Sequence, residues 1–233
     1  MTRHELKEQL QHDQFTDAAS KTFEYISENR RQFTRWVIVG VVIAAIIGGS
    51  IWYASYRQTA RQQDLQAAFE VLDAQIGPSN QFIKTFPTQE AKTQASMKVL
   101  RDVVAKDGGS KEGLIAQYYL GTLKAQSGDP KGAEADLKAV ADSSSKTSSL
   151  AKIALAQLYA GEGRSSEAQG LLKSLVNKPT DLVSKGQAEI LLARLDQTAN
   201  PPQAKRILQS LKTANQDPVV SRAASEVSGQ SAQ

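Results

Sequence analysis

The sequence predicts an all-α protein in which a single N-terminal transmembrane helix precedes a domain of repeated helix pairs. One supporting observation is a run of eighteen apolar, uncharged residues from Trp36 to Tyr53. The other is a helix–turn–helix pattern that recurs with a period of about 35 residues in the rest of the chain. The predicted segments are a cytoplasmic leader at 1–34, a transmembrane helix at 35–56, a repeat domain at 57–218 and a flexible tail at 219–233.

The apolar run has the length and the flanks of a membrane anchor. As a helix it spans about 27 Å, close to the hydrocarbon thickness of a bilayer. Trp36 stands at one end, and Trp52, Tyr53 and Tyr56 stand at the other, as in the aromatic belts at membrane interfaces. A cleavable signal peptide has a shorter apolar part and small residues at its cleavage site. A buried core helix has no need of arginines outside both ends. The run therefore predicts a helix that is retained as an anchor.

Flanking arginines give the predicted orientation of this helix. Arg30, Arg31 and Arg35 precede it, and Arg57 and Arg61 follow it. Positive residues are in excess on the cytoplasmic side of membrane helices. The bias of three against two therefore places the N-terminus in the cytoplasm and the long C-terminal part outside.

Small residues form a stripe within the predicted membrane helix. Gly40, Ala44 and Gly48 recur every four residues, a spacing that lets another helix approach closely. The alternative is that small residues are simply common in membrane helices. The stripe predicts a helix-packing contact.

After the membrane helix, the sequence predicts repeated helix pairs. The stretches "GAEADLKAV", "SEAQGLLKSLV" and "PQAKRILQSL" align on alanines spaced by 35 and 36 residues. A leucine follows each alanine by four residues, and a valine or leucine follows by three more. The aligned residues are Ala133, Leu137 and Val140; Ala168, Leu172 and Leu175; and Ala204, Leu208 and Leu211. A helical segment, the leading helix of the pair, precedes each stretch, which is the second helix. A Gly- or Pro-containing turn joins the two helices.

This period is typical of tetratricopeptide-type arrays, in which stacked helix pairs bury their apolar faces against one another. Residues 58–106 are a more divergent further pair, with Ser96, Leu100 and Val103 in the aligned places, so that three to four pairs are predicted. In the leading helices, Leu191-Leu192 stands in the place of Leu120-Gly121 and Leu155-Ala156. A helical bundle with accidental periodicity is the alternative.

The residue inventory gives no basis for catalysis. The chain has no Cys, and its only histidines are His4 and His12, before the membrane helix. A Ser–His–Asp triad is therefore impossible in the repeat domain, and no phosphate-binding glycine motif is present. The net charge of +4 comes from interspersed charges without a basic block, which gives no support for nucleic-acid binding. We predict no enzyme activity, cofactor, metal site or small-molecule substrate.

A protein-binding surface is the remaining prediction, because stacked helix pairs expose their leading helices on a concave face. The predicted partner-binding residues are Ile115, Tyr118, Thr122, Ile153, Gln157, Ala160, Glu189, Ala193 and Asp196.

Three stretches are informative beyond their helical pattern: the leader "AASKTFEYISENRRQF", the helix "RQTARQQDLQAAFEVLDA" after the anchor and the unit "IAQYYLGTLKAQSGDPKGAEADLKAV". Through them the chain resembles the family of the ancillary subunit of the bacterial SecYEG translocon. This resemblance implies a bacterial inner-membrane protein whose repeat domain faces the periplasm. The implied partners are the translocon and a membrane-anchored periplasmic chaperone related to peptidyl-prolyl isomerases.

The function predicted from the sequence is a single-pass membrane adaptor that assists exported proteins. Two alternatives stay open. One is a scaffold subunit of another cell-envelope complex, for secretion or outer-membrane assembly. The other is a signalling adaptor that acts through its cytoplasmic leader.

Overall fold

The computed structural model describes residues 30–78, 84–214 and 218–230, which divide into two compact parts between Thr59 and Ala60. Most of the predicted leader, residues 1–29, lies outside the described residues, as do residues 231–233 of the predicted tail. The elements are α1 (Arg30–Leu72), β1 (Gln75–Ile76), β2 (Thr85–Phe86), α2 (Gln89–Asp107), α3 (Lys111–Gln126), α4 (Pro130–Ala141), α5 (Ser148–Gly161), α6 (Ser165–Asn177), α7 (Lys185–Ala199), α8 (Pro201–Ala214) and α9 (Pro218–Gln230). The predicted all-α class is confirmed. The short strands β1 and β2, which the sequence analysis did not predict, pair in parallel with Gln75 opposite Thr85.

The N-terminal part contains the apolar segment of α1. Among the described residues, α1 is the one helix long and apolar enough to cross a membrane, with a mean hydropathy of 2.2 in its most apolar window. None of that window is buried, and Trp36 and Trp52 are each 71% exposed. A helix that is apolar on all sides and has no protein around it is unlike the surface helix of a water-soluble domain, which has one polar face. The apolar part of α1 therefore needs a membrane or a partner around it.

The C-terminal part is an array of antiparallel helix pairs. The pairs are α3–α4, α5–α6 and α7–α8, and the end of α1 packs with α2 before them. All nine aligned residues of the second helices are buried, from Ala133 at 0% exposure to Leu211 at 4%. In α2, Ser96, Leu100 and Val103 are buried as well. The predicted alignment therefore identifies the core face of each second helix.

The leading helices carry a repeated alanine of their own. Ala116, Ala151, Ala188 and Ala224 are each 0% exposed and are spaced by 35, 37 and 36 residues. A small side chain at this place lets neighbouring helices cross closely. The last of the four alanines lies in α9, which follows the three predicted pairs.

The prediction of a flexible tail from Val219 onward is wrong for the described residues. Pro218–Gln230 forms α9, whose Val220, Ala224 and Val227 are buried against Leu208 and Leu211 of α8. Ser, Ala and Gln made this segment look polar, but its apolar residues are spaced by four and three and form one face. That face covers the end of the last helix pair, so α9 occupies the place of one more leading helix.

Local sequence explains how the turns within the pairs form. Gly128 and Gly163, in the α3–α4 and α5–α6 turns, have φ angles of +80° and +76°, a region that favours glycine. Asp129 then caps α4 by accepting a hydrogen bond from the backbone N–H of Gly132 at 2.9 Å, with Pro130 at the first helical position. These turns reverse the chain so that each second helix lies against its leading helix.

Candidate protein-binding groove

The central groove is a cleft of about 330 Å³ between α5 and α7, closed on one side by α6. Its floor includes the half-buried side chains of Ile153 and Leu191. Exposed polar side chains border it, namely Gln157 from α5 and Arg194 and Thr198 from α7. Also lining the groove are Ala156, Ala160, Ser165, Leu172 and Leu195.

The repeat explains why these side chains converge. On α5, Ile153, Gln157 and Ala160 are spaced by four and three residues and share one helix face. The side of α7 that lines the groove opposite α5 carries Leu191 and Leu195, and the stacking of successive units brings these side chains together. The result is an apolar cleft with a guanidinium at its edge, which offers dispersion contacts, hydrogen bonds and one positive charge to a ligand.

The predicted partner-binding residues separate into two groups. Ile153, Gln157 and Ala160 line the central groove, while binding of a partner to them stays a prediction. The predicted residues of α3 do not line it. Ile115 packs against the core formed by α1, α2 and α3, and Tyr118 packs against the core that includes α4 and α5. Thr122 is partly buried and donates its hydroxyl hydrogen to the carbonyl oxygen of Tyr119 at 2.8 Å.

In α7 the predicted face is wrong by one residue. Ala193 and Asp196 are both 0% exposed, and Glu189 lies 3.7 Å from the ammonium of Lys185 rather than in the groove. The prediction aligned Leu191 with Leu155, whereas the buried pair Leu192-Ala193 occupies the place of Leu155-Ala156. A shift of one residue rotates a helix face by about 100°. The groove residue that corresponds to Gln157 is therefore Arg194.

Arg164 joins two successive units through a group of charged and aromatic side chains beside the groove. Its guanidinium donates to Glu134 of α4 at 2.8 and 3.1 Å, to Glu162 at 3.0 Å and to Glu167 of α6 at 2.7 and 2.8 Å. It also lies 3.8 Å from the ring centre of Tyr159, whose hydroxyl donates to Glu134 at 2.8 Å. These contacts connect α4 of one pair to α5 and α6 of the next, and the sequence analysis missed all of them.

The electrostatics of this group follow from its geometry. Hydrogen bonds from Arg164 and then from Tyr159 lower the pKa of Glu134 from 4.5 to about 2. Burial and the bond to Glu134 raise the pKa of Tyr159 to about 12. Glu134 thus stays ionised, and Tyr159 stays protonated, over the whole physiological range of pH.

Glu134→Gln is expected to destabilise the repeat domain at neutral pH, and to do so less as the pH falls. The folded state depresses the pKa of Glu134, so the stability from this carboxylate is present above about pH 4.5 and is lost as the pH falls towards 2. Thermal unfolding of the full chain in detergent, followed by circular dichroism between pH 2 and 7, measures the effect. A difference between the two proteins that does not change with pH would contradict this role of the carboxylate.

The equivalent inter-unit contact one repeat later has different chemistry. Gln169 follows Ala168 as Glu134 follows Ala133, and its amide donates to Oδ1 of Asp196 in α7 at 2.6 Å. Asp196 is fully buried, and its Oδ2 accepts no hydrogen bond from the described residues. Burial raises the pKa of Asp196, while Gln169 and Lys173 oppose that shift. The contact therefore contains a buried carboxyl group with only one of its oxygens satisfied.

No metal site is visible in the described part of the chain. It contains no group of three His, Cys, Asp or Glu side chains placed to hold a metal ion.

The comparison with known families agrees with the repeat architecture. A model described as a tetratricopeptide repeat-like domain matches residues 30–188, which include the apolar helix and the first two pairs. No curated protein and no solved structure matches the chain.

Proposed function

Because this chain belongs to the tetratricopeptide repeat-like domain family, we propose that it is a membrane-anchored adaptor that binds protein partners in the central groove. Arrays of this kind generally provide non-catalytic surfaces for protein interaction. The observation that carries the proposal is the central groove itself, whose apolar floor is half-exposed beside the guanidinium of Arg194. Apolar clefts with a few polar groups at the edge are the usual form of a binding site.

Arg194 supports a protein ligand with a carboxylate or a carbonyl near an apolar side chain. Its side chain is exposed and makes no ion pair with the described residues. Ile153 and Leu191 offer the apolar contact surface, and Gln157 and Thr198 offer hydrogen bonds. An extended or helical segment with an apolar residue beside an acidic one matches this arrangement.

The proposed setting is the bacterial inner membrane, with α1 as a single-pass anchor and the repeat domain in the periplasm. The exposed apolar face of α1 supports an anchor, and the arginine bias and the resemblance to the translocon subunit family support the orientation. The proposed partners are the Sec translocon and a membrane-anchored periplasmic chaperone, and the role is assistance to newly exported proteins. The stripe of Gly40, Ala44 and Gly48 is a proposed contact with a partner's membrane helix. A Cβ at either glycine would meet no atom of the described residues within 4 Å.

Site-specific photo-crosslinking tests the groove and its partners together. A photoreactive residue at Gln157 is expected to crosslink to translocon and chaperone components in intact cells, and Arg194→Glu is expected to reduce that yield severalfold. The matched control is a photoreactive residue at Arg101, an exposed position in α2. Crosslinks from both positions in equal yield would reject the groove as the binding site.

Affinity purification of the full chain from detergent-solubilised membranes tests the identity of the partners. The translocon and the periplasmic chaperone are expected among the co-purifying proteins. Their absence, with components of another envelope complex present instead, would replace this role with that of a scaffold.

Protease accessibility tests the proposed orientation. Added protease is expected to digest the repeat domain in spheroplasts and to leave it intact in whole cells, because only the outer membrane protects a periplasmic domain. A repeat domain that is protected in spheroplasts would refute the periplasmic placement.

A further inference from the structure

A second groove lies one repeat beyond the central groove. This terminal groove, of about 500 Å³, is lined mainly by α8, with Gln197 of α7 and Ser228 of α9 at its edges. Ala160, Ser165 and Leu172 of the central groove correspond by repeat spacing to Gln197, Pro201 and Leu208 of the terminal groove. The terminal groove is therefore the same place in the array, one unit later, and it lies outside the segment that the family model matches.

The charge of the terminal groove differs from that of the central groove. Lys205 and Lys212 both line it and are exposed, and neither makes an ion pair with the described residues. The helix α8 contains three basic residues and no acidic one, and α9 adds Arg222 and the exposed Glu226. The groove thus offers two ammonium groups without an ion-pair partner among the described residues, on a helix with three basic residues and no acidic one.

Lys205 also occupies the repeat position that, in the two earlier units, contacts the leading helix of the next unit. Glu134, Gln169 and Lys205 each follow the repeated alanine of a second helix. Glu134 accepts a hydrogen bond from Tyr159, and Gln169 donates one to Asp196. In the terminal unit this place holds a cation without a described partner, so a carboxylate is the matching group.

From this arrangement we propose that the terminal groove binds an acidic, helical segment of a partner protein. Lys205 and Lys212 are seven residues apart on one face of α8, about 10 Å along the helix axis. Two carboxylates at the same spacing on a docked helix pair with both ammonium groups. Leu208 lies between the two lysines in the sequence, and Pro201 lies one turn before Lys205. Both line the groove and receive an apolar side chain from the same face of the docked helix.

A protein segment fits this site better than a membrane surface does. The lysines border a concave cleft with an apolar floor, whereas a bilayer presents a broad, flat layer of headgroups. The proposal is separate from the function of the central groove, since the two grooves share none of their lining residues.

Fluorescence anisotropy of a labelled probe peptide tests this inference on the full chain in uncharged detergent micelles. The probe is a helical peptide with Glu at positions i and i+7 and Leu at i+4, and the control peptide has Gln in place of both Glu. The probe is expected to bind at least tenfold more tightly than the control, and to weaken as salt is raised, because exposed charge pairs are screened.

Matched protein variants locate the site. Lys205→Gln/Lys212→Gln is expected to weaken binding of the probe by about tenfold or more, as does the loss of two charge pairs at a binding surface. Lys131→Gln/Lys138→Gln removes two exposed lysines at the same spacing from α4, and is expected to leave binding unchanged. All four residues are exposed, and circular dichroism checks that each variant keeps its helices.

Three outcomes would overturn the inference. The first is equal binding of the probe to the wild-type chain and to the Lys205/Lys212 variant. The second is an equal loss of binding in both double variants, which would indicate a diffuse charge effect. The third is that the wild-type chain does not bind the probe but binds soluble short-chain phosphatidylglycerol, and that the Lys205/Lys212 variant does not bind this lipid. That result would make the groove a lipid-headgroup site. Failure of the Gln157 crosslinks would leave these results unaffected.

Discussion

Leu137→Ala is expected to lower the free energy of unfolding of the repeat domain by about 2–5 kcal/mol, the range for large-to-small changes in a packed core. Leu137 is 0% exposed and belongs to the core cluster that joins α4 to α5 and α6. Its loss leaves a cavity between two units, where each pair depends on its neighbour for burial. Denaturant unfolding of the full chain in detergent, followed by circular dichroism, measures the change. A loss below about 1 kcal/mol would show that the helices close the cavity.

The glycine that faces Leu137 provides a sharper form of the same test. A Cβ on Gly121 of α3 would lie 2.8 Å from Cγ of Leu137, so Gly121→Ala is expected to cost roughly 1–3 kcal/mol through overpacking. In combination with Leu137→Ala, the added methyl group has room, and the double variant is expected to be more stable than the sum of the two changes predicts. Strict additivity would contradict the direct contact.

Gly170→Ala is the matched control for Gly121→Ala. Gly170 also lies within a helix, α6, but its Cβ would meet nothing within 4 Å. Alanine is favoured over glycine inside a helix, so this change is expected to stabilise the domain by about 0.5–1 kcal/mol. Opposite signs at the two glycines would identify the close helix crossing as the cause.

Asp196→Asn is expected to stabilise the repeat domain at pH 7, because it removes the negative charge from a buried carboxyl group. The carboxyl of Asp196 is fully buried, and its Oδ2 has no hydrogen-bond partner among the described residues. Asparagine keeps an oxygen that accepts the hydrogen bond from Gln169 and removes the buried charge. Asp102→Asn, at an exposed position in α2, is the control and is expected to change little.

The stabilising effect of Asp196→Asn is expected to depend on pH. Burial raises the pKa of Asp196 in the folded state, so the folded protein binds the proton more tightly than the unfolded chain. The cost of the charge is therefore absent below the unfolded pKa of 3.8 and fully present above the folded pKa. The gain in stability from Asp196→Asn is expected to shrink as the pH falls towards 4, and a gain that is equal at pH 4 and pH 7 would contradict it.

The two acidic side chains at equivalent inter-unit contacts thus have opposite pH responses. Glu134 stabilises the fold when ionised, because Arg164 and Tyr159 bind its carboxylate. Asp196 destabilises the fold when ionised, because its carboxylate is buried and Gln169 satisfies only one of its oxygens. Comparison of Glu134→Gln with Asp196→Asn in one pH series separates the two effects.

The case of α9 shows how far the repeat pattern reaches. Ala224 lies 36 residues after Ala188, and Val220 and Val227 lie on the same face, so the period itself identifies a further leading helix. The polar composition of the segment hid this signal. Composition reports the average of a segment, whereas packing depends on the few residues of one face.

The face of α7 shows the opposite limit. Leu192-Ala193 has the Leu-small pattern of Leu155-Ala156 at a spacing of 37 residues, whereas Leu191-Leu192 lacks the small residue at a spacing of 36. The structure selects Leu192-Ala193, since Ala193 has no exposed surface while Leu191 lines the groove. Because of this one-residue difference, Arg194 lines the groove in the place that the sequence analysis gave to Ala193.

By itself, the sequence determined the class of the protein: one apolar helix that needs a non-aqueous environment, and helix pairs whose buried alanines and leucines recur about every 35 residues. These features are local, because they depend on the spacing of residues along one helix. Only the tertiary structure decided the groove lining, the Arg164 contacts and the half-satisfied Asp196. Each of these combines side chains from different helices, and their distances depend on how successive units pack against one another.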